Sequence, residues 1–119
     1  MEVFISAHEN CDVVAVSGKI DHSNQDILNK AINDLIDAGH FRLVLDLSKV
    51  DYMSSAGLRI MVTTQNACRN YPGGDLFLSG VPKRIKETLE LTEFVRIFKI
   101  YEDNSQAVAG FSDRRLEVS

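Results

Sequence analysis

The sequence has no tryptophan, only two prolines, only two cysteines and no surplus of positive charge, and each shortage removes a class of protein. Cys11 and Cys68 stand alone without a CxxC partner, which argues against a disulfide-stapled secreted scaffold and against a cysteine redox or zinc centre. Both read as small buried side chains of a reduced, cytoplasmic protein. Thirteen basic against seventeen acidic residues leave a net charge of −4, so nucleic acid is not an expected partner. No apolar run approaches the roughly 18 residues that a membrane-spanning helix needs. The opening MEVFIS carries no basic n-region and no small-residue cleavage site, so no signal peptide is expected. His8, His22 and His40 fall at no metal-ligand spacing, and neither a metal nor a cofactor is expected. Gly18-Lys19 lacks the rest of a phosphate loop, and no GxGxxG follows a strand.

What is present is ordinary globular material: 119 residues, 45% hydrophobic and 25% charged, which suits one domain. A chain of this size buries about two-thirds of its unfolded surface and folds without staples. VFISA (3–7) and VVAVS (13–17) alternate as two short strands of an antiparallel hairpin, and Gly18 is expected to end the second. Ile27, Leu28, Ala31, Ile32, Leu35 and Ile36 then recur at helical spacing, with Ser23 and Asp26 approximating a capping box. Gly39 stands where a left-handed cap would close that helix. Residues 43–47 form a near-continuous apolar run, the pattern of a strand buried on both faces. A second helical face follows from Leu58 through Met61, Val62, Gln65 and Cys68, stopped by Tyr71-Pro72-Gly73-Gly74. Leu76–Leu78 reads as a strand, Pro82 as the first residue of a third helix, and 95–101 as containing a last strand. Asp103 is placed to cap a final helix through Phe111, with the polar 112–119 expected as a flexible tail. Strands alternating with helices imply parallel pairing with right-handed crossovers, plus one antiparallel strand from the hairpin.

One segment stands apart, Asp46-Leu47-Ser48-Lys49-Val50-Asp51-Tyr52-Met53-Ser54-Ser55-Ala56-Gly57-Leu58-Arg59. It leaves the most buried strand and enters the second helix, at the sheet edge where open α/β proteins carry their sites. Only one of two adjacent serines can be an N-cap. A hydroxyl left over at a helix N-terminus is well placed to carry a phosphate, which free N–H groups and the helix dipole both favour. Such a phosphate adds about −1.5 to −2 charge to the surface. Asp21, Asp46 and Asp51 are expected near the same edge, where they would add to that charge. A hydrolase built on Ser55, His22 and Asp21 or Asp46 is disfavoured: there is no GxSxG elbow, and no oxyanion donor is identifiable.

These residues carry a family resemblance. Ser17-Gly18-Lys19-Ile20-Asp21, Leu45-Asp46-Leu47-Ser48 and above all Val50 to Leu58 resemble a STAS domain of the bacterial anti-sigma factor antagonist type, over residues 1–111. The resemblance implies an α/β fold: a single STAS-type domain with a mixed, mostly parallel sheet, an N-terminal antiparallel hairpin and about four helices. It implies a non-catalytic protein that binds an anti-sigma factor with serine-kinase activity. Serine phosphorylation releases that partner, and a PP2C-type phosphatase reverses the modification. The family's phosphoacceptor lies two positions before a glycine, which here makes it Ser55 by reference to Gly57, with Ser54 as second choice. Members often have Asp just before the acceptor, where this chain has Ser54. The partner surface implied is Asp21, Ser54, Ser55, Gly57, Leu58 and Arg59. The alternative is a STAS module that is never phosphorylated and serves as a scaffold or ligand-sensing subunit.

Overall fold

In the computed structural model, five strands form one sheet in the order β1-β2-β3-β4-β5, so every strand lies beside its neighbour in sequence. The structure describes residues 1–118, with side chains through residue 112. β1 (Glu2–Ala7) runs antiparallel to β2 (Asp12–Ile20), and His8 N–H closes the hairpin on Cys11 O at 2.9 Å. β3 (Arg42–Met53), β4 (Asp75–Ser79) and β5 (Lys99–Tyr101) are then added in parallel. The helices are α1 (Gln25–Asp37), α2 (Ser55–Arg69), α3 (Lys83–Glu90) and α4 (Asn104–Val118), with a 3-10 turn at Glu93–Ile97. This is the single mixed-sheet domain that the resemblance implied.

Sequential strand order with crossovers of one hand places α1, α2 and α3 on the same face. Val14, Leu43, Leu45, Leu76 and Leu78 of the sheet meet Leu28, Ile32, Ile60, Met61, Ile85 and Leu89 there. The alternate residues Val13, Val44 and Phe77 point to the other face, where Ala107 and Phe111 of α4 cover them. Phe77 and Phe111 stack with ring centroids 3.9 Å apart. Gly39, at φ +91, ends α1 as expected: its N–H bonds Ile36 O at 2.9 Å and the His40 N–H bonds Leu35 O at 2.9 Å. Asp103 caps α4 by accepting from the Gln106 N–H at 2.9 Å.

Several local expectations are corrected. Gly18, at φ +92, bends β2 without ending it, and the strand continues to Ile20 across two register shifts against β3. Ser23 does not cap α1, whose N-cap is Asn24. Pro82 is the cap residue of α3, one position ahead of the helix. Ile27 leaves the core stripe and is 56% exposed. The α4 helix runs from Asn104 to Val118, and the side chains from 113 on, where the tail is expected, lie outside the described residues.

Candidate functional site

β3 is more than twice as long as its apolar run, and the extra length builds the site. Residues 42–46 pair with β4, whereas Lys49, Val50, Tyr52 and Met53 pair only with Ser17–Ile20 of β2. The far ends of β2 and β3 thus form a two-stranded arm beyond the rest of the sheet. At its tip the Ser54 N–H bonds Ile20 O at 2.9 Å, so the chain enters α2 directly beside the turn that leaves β2 for α1.

That entry decides between the serines. Ser54 is extended, at φ −82 and ψ 178, and its hydroxyl accepts the Ala56 N–H at 3.2 Å. It is therefore the N-cap, and its backbone carbonyl accepts from Gly57 N–H at 3.0 Å. Ser55 is the first helical residue, exposed, and its hydroxyl makes no hydrogen bond among the described residues. Its neighbourhood is the positive end of a 15-residue helix whose first turn holds no acidic residue.

Asp21 sits in the adjoining turn. Its carboxylate accepts from the Ser23 hydroxyl at 2.6 Å and the Ser23 N–H at 2.9 Å. Asn24 locks the same turn by accepting the Asp21 N–H at 3.0 Å and donating to Lys19 O at 2.8 Å. The bonds from the Ser23 side chain and N–H hold the Asp21 carboxyl below its ordinary value, so it is charged at neutral pH.

The remaining candidates separate by burial. Arg59 and Asp51 are exposed, Leu58 is half-buried against the core, and Gly57 is buried. A β-carbon at Gly57 would run into the Met53 side chain and approach Ile20 Cγ2 to 3.1 Å, so this glycine lets α2 seat closely on the arm. Asp46 does not join the group. It lies inside β3, about 26 Å of strand before Ser54 at ~3.3 Å per residue. Its carboxylate binds the Ser48 N–H and the Asn104 amide, both at 2.9 Å. Burial pushes its pKa up, but the Ser48 and Asn104 bonds outweigh burial and leave it below the usual value. His22 makes no hydrogen bond to Ser55 among the described residues, so the nucleophile–base contact of a hydrolase is not formed there. Two apolar residues are exposed that the sequence does not mark as surface: Tyr52, 49% exposed at the arm's tip, and Ile27, expected in the core stripe, in the first turn of α1. An exposed aromatic within a polar strand end was the available signal.

Among the described residues no helix is long and apolar enough to cross a membrane, and no group of three or more His, Cys, Asp or Glu is gathered as for a metal ion.

Comparison with known proteins bears on the family and the fold. The family model of the STAS domain matches residues 4–107. BtrV of Bordetella bronchiseptica, whose name places it among the anti-sigma factor antagonists, is 30% identical over 99 residues, covering 83% of this chain and 84% of its own. The anti-sigma-F factor antagonist RsfB of Mycobacterium tuberculosis is 27% identical over 109 residues, covering 91% and 89%. In fold, the chain matches the crystal structure of an anti-sigma factor antagonist from Mycobacterium paratuberculosis with a TM-score of 0.84, at 24% identity over 93% of each chain.

Proposed function

The chain belongs to the STAS domain family, and from that premise we propose that it is an anti-sigma factor antagonist switched by phosphorylation of Ser55. Unphosphorylated, it binds an anti-sigma factor with serine-kinase activity through the tip of the β2–β3 arm and the start of α2. Asp21, Ser54, Ser55, Leu58 and Arg59 supply the contact surface, with Tyr52 at its rim. Gly57 acts beneath that surface by seating α2. The protein works by binding, and the chemistry is the partner's. The Ser55 oxygen attacks the γ-phosphorus of ATP, the new O–P bond replaces the bond to ADP, and the hydroxyl proton leaves to a base of the kinase. A PP2C-type phosphatase returns the serine by hydrolysis.

The observation that carries this reading is the division of labour between the serines: Ser54 is occupied by the cap, and Ser55 is exposed with a hydroxyl that makes no hydrogen bond among the described residues. The names borne by BtrV and RsfB support the same role. A phosphate on Ser55 adds to the negative charge of Asp21 in the adjoining turn. Like charges brought together at an interface cost several kcal/mol, and about 1.4 kcal/mol is a tenfold loss of affinity. No large conformational change is needed.

The test is site-resolved mass spectrometry of the protein purified from its own cells, growing and stressed. Phosphate on Ser55 whose occupancy changes with condition is the expected result. Ser55 unmodified in every condition, or phosphate confined to Ser54, overturns the switch, and the scaffold or ligand-sensing reading takes its place.

A further inference from the structure

Glu2-Val3-Phe4-Ile5-Ser6-Ala7 forms a sheet edge with little to protect it. β1 pairs with β2 alone, so the backbone N–H and C=O groups on its outer side have no strand partner. Edge strands are usually blunted by lysine, proline, a bulge or brevity. β1 has six residues, neither Lys nor Pro, and an unbroken register against β2. The opposite edge is guarded: β5 has three residues and begins with the exposed Lys99. Phe4 is 60% exposed on one face of β1 and Ile5 47% exposed on the other. Among the described residues α4 packs chiefly on β3, β4 and β5, and Phe4, on the face that α4 covers farther along, keeps most of its side chain exposed.

We propose that β1 is the docking surface for a second copy of this chain, pairing antiparallel with its counterpart about a two-fold axis through Phe4. The side-chain pattern selects both the occupant and the register. In an antiparallel pair, directly opposed residues share a face. With Phe4 on the axis, Phe4 opposes the second copy's Phe4, Val3 opposes its Ile5, and Glu2 opposes its Ser6. Apolar residues meet on both faces, and the single charge of the strand meets a hydroxyl. Moving the axis to Val3 sets Glu2 against Phe4, and moving it to Ile5 sets Phe4 against Ser6. The strand is thus self-complementary in one register, as a two-fold interface requires. The chain carries a net charge of −4, and this register keeps like charges from facing each other along the seam. Assembly stops at two, because the joined sheet ends in the short β5 edges.

This inference does not rest on the phosphorylation reading. β1 reaches only to Ser17 on β2, whereas Ser55 follows the Ile20–Met53 pair farther along the arm. Both serine sites of the dimer therefore stay open.

The experiment is sedimentation equilibrium of the 119-residue chain over a series reaching high micromolar concentration. The mass should rise toward twice 13.3 kDa. Phe4→Lys should keep the native circular dichroism and melting temperature, since the position is exposed, yet remain at the single-chain mass. Cysteine cross-linking then tests the register. Opposed Cα atoms in antiparallel strands lie about 4.5–5.5 Å apart, within disulfide reach. Under mild oxidation Phe4→Cys should form a covalent dimer and Ala7→Cys should not, with the native Cys11 and Cys68 buried. A single-chain mass at every concentration overturns the proposal. So does a dimer that survives Phe4→Lys, or cross-linking as efficient at position 7 as at position 4.

Discussion

Ser54 and Ser55 are adjacent in the chain and opposite in role: the Ser54 hydroxyl is bound to the helix it caps, and the Ser55 hydroxyl is bound to nothing among the described residues. Substitution should separate them. Ser54→Ala loses an N-cap and is expected to cost about 1 kcal/mol of folding stability. Ser55→Ala should stay within about 0.5 kcal/mol of wild type, as exposed substitutions do. Urea denaturation of the two variants reads the difference directly. Equal losses would mean that the cap is shared.

Ser55→Asp should fold normally, because a carboxylate in the first turn suits the helix dipole. Its affinity for the anti-sigma partner should fall by about tenfold or more, on the cost of like charges at an interface. Ser55→Ala should keep tight binding. Calorimetry with the purified partner measures both, and a Ser55→Asp variant that binds like wild type would remove charge from the mechanism.

The Asp21 carboxyl is held below its usual pKa of 3.8 by the Ser23 hydroxyl and N–H. A carboxyl with a depressed folded-state pKa contributes stability above its unfolded value and loses it as pH falls through the folded value. The turn beside Ser55 is therefore fully formed at neutral pH and loosens only in acid, below about pH 4. An NMR titration of the Asp21 side chain should show a midpoint under 3.8. Ser23→Ala should move that midpoint upward.

Much of this architecture is visible in the sequence because burial writes it there. Leu43, Val44, Leu45 and Leu47 are apolar since this half of β3 lies between two strands and under helices on both sides. The second half of β3 was hidden for the same reason in reverse. Lys49, Asp51 and Tyr52 are exposed there, so the stretch reads as a loop although it is paired with β2. The segment holding the two serines stood out. Which serine was the cap did not, because both are competent and the choice rests on the backbone entry fixed by the Ser54–Ile20 bond. Ile27 matched the helical period, yet α1 is apolar over a wider arc than the core covers.

Cys11 and Cys68 should be chemically quiet. Burial pushes the Cys11 thiol up to about 11, aided by the charge of Asp12. Burial likewise pushes Cys68 up to about 12, with Asp75 adding to it. The thiolate is the reactive form, so labelling by a disulfide reagent at pH 8 should be far slower in the folded protein than in urea. A fast native phase would show that one of them is accessible.

Gln65 looks in sequence like a polar interruption of the α2 apolar face, and the structure gives it a specific task. β5 begins opposite Phe77, so Leu76 of β4 has no strand residue on that side. The Gln65 carboxamide takes the place of one. It accepts the Leu76 N–H at 2.9 Å and donates to Leu76 O at 3.1 Å and to Ile97 O at 2.8 Å. Gln65→Leu removes a donor from a buried carbonyl and should cost about 1–3 kcal/mol. Gln65→Glu keeps the acceptor but, once ionised, sets a buried carboxylate against two carbonyl oxygens. Burial then raises its folded-state pKa above the unfolded value of about 4.3. The unfolded chain releases that proton first, so the deficit of this variant relative to wild type should be small near pH 4 and grow as pH rises. Urea midpoints across that range test the argument, and a deficit independent of pH would show that the carboxamide site admits water.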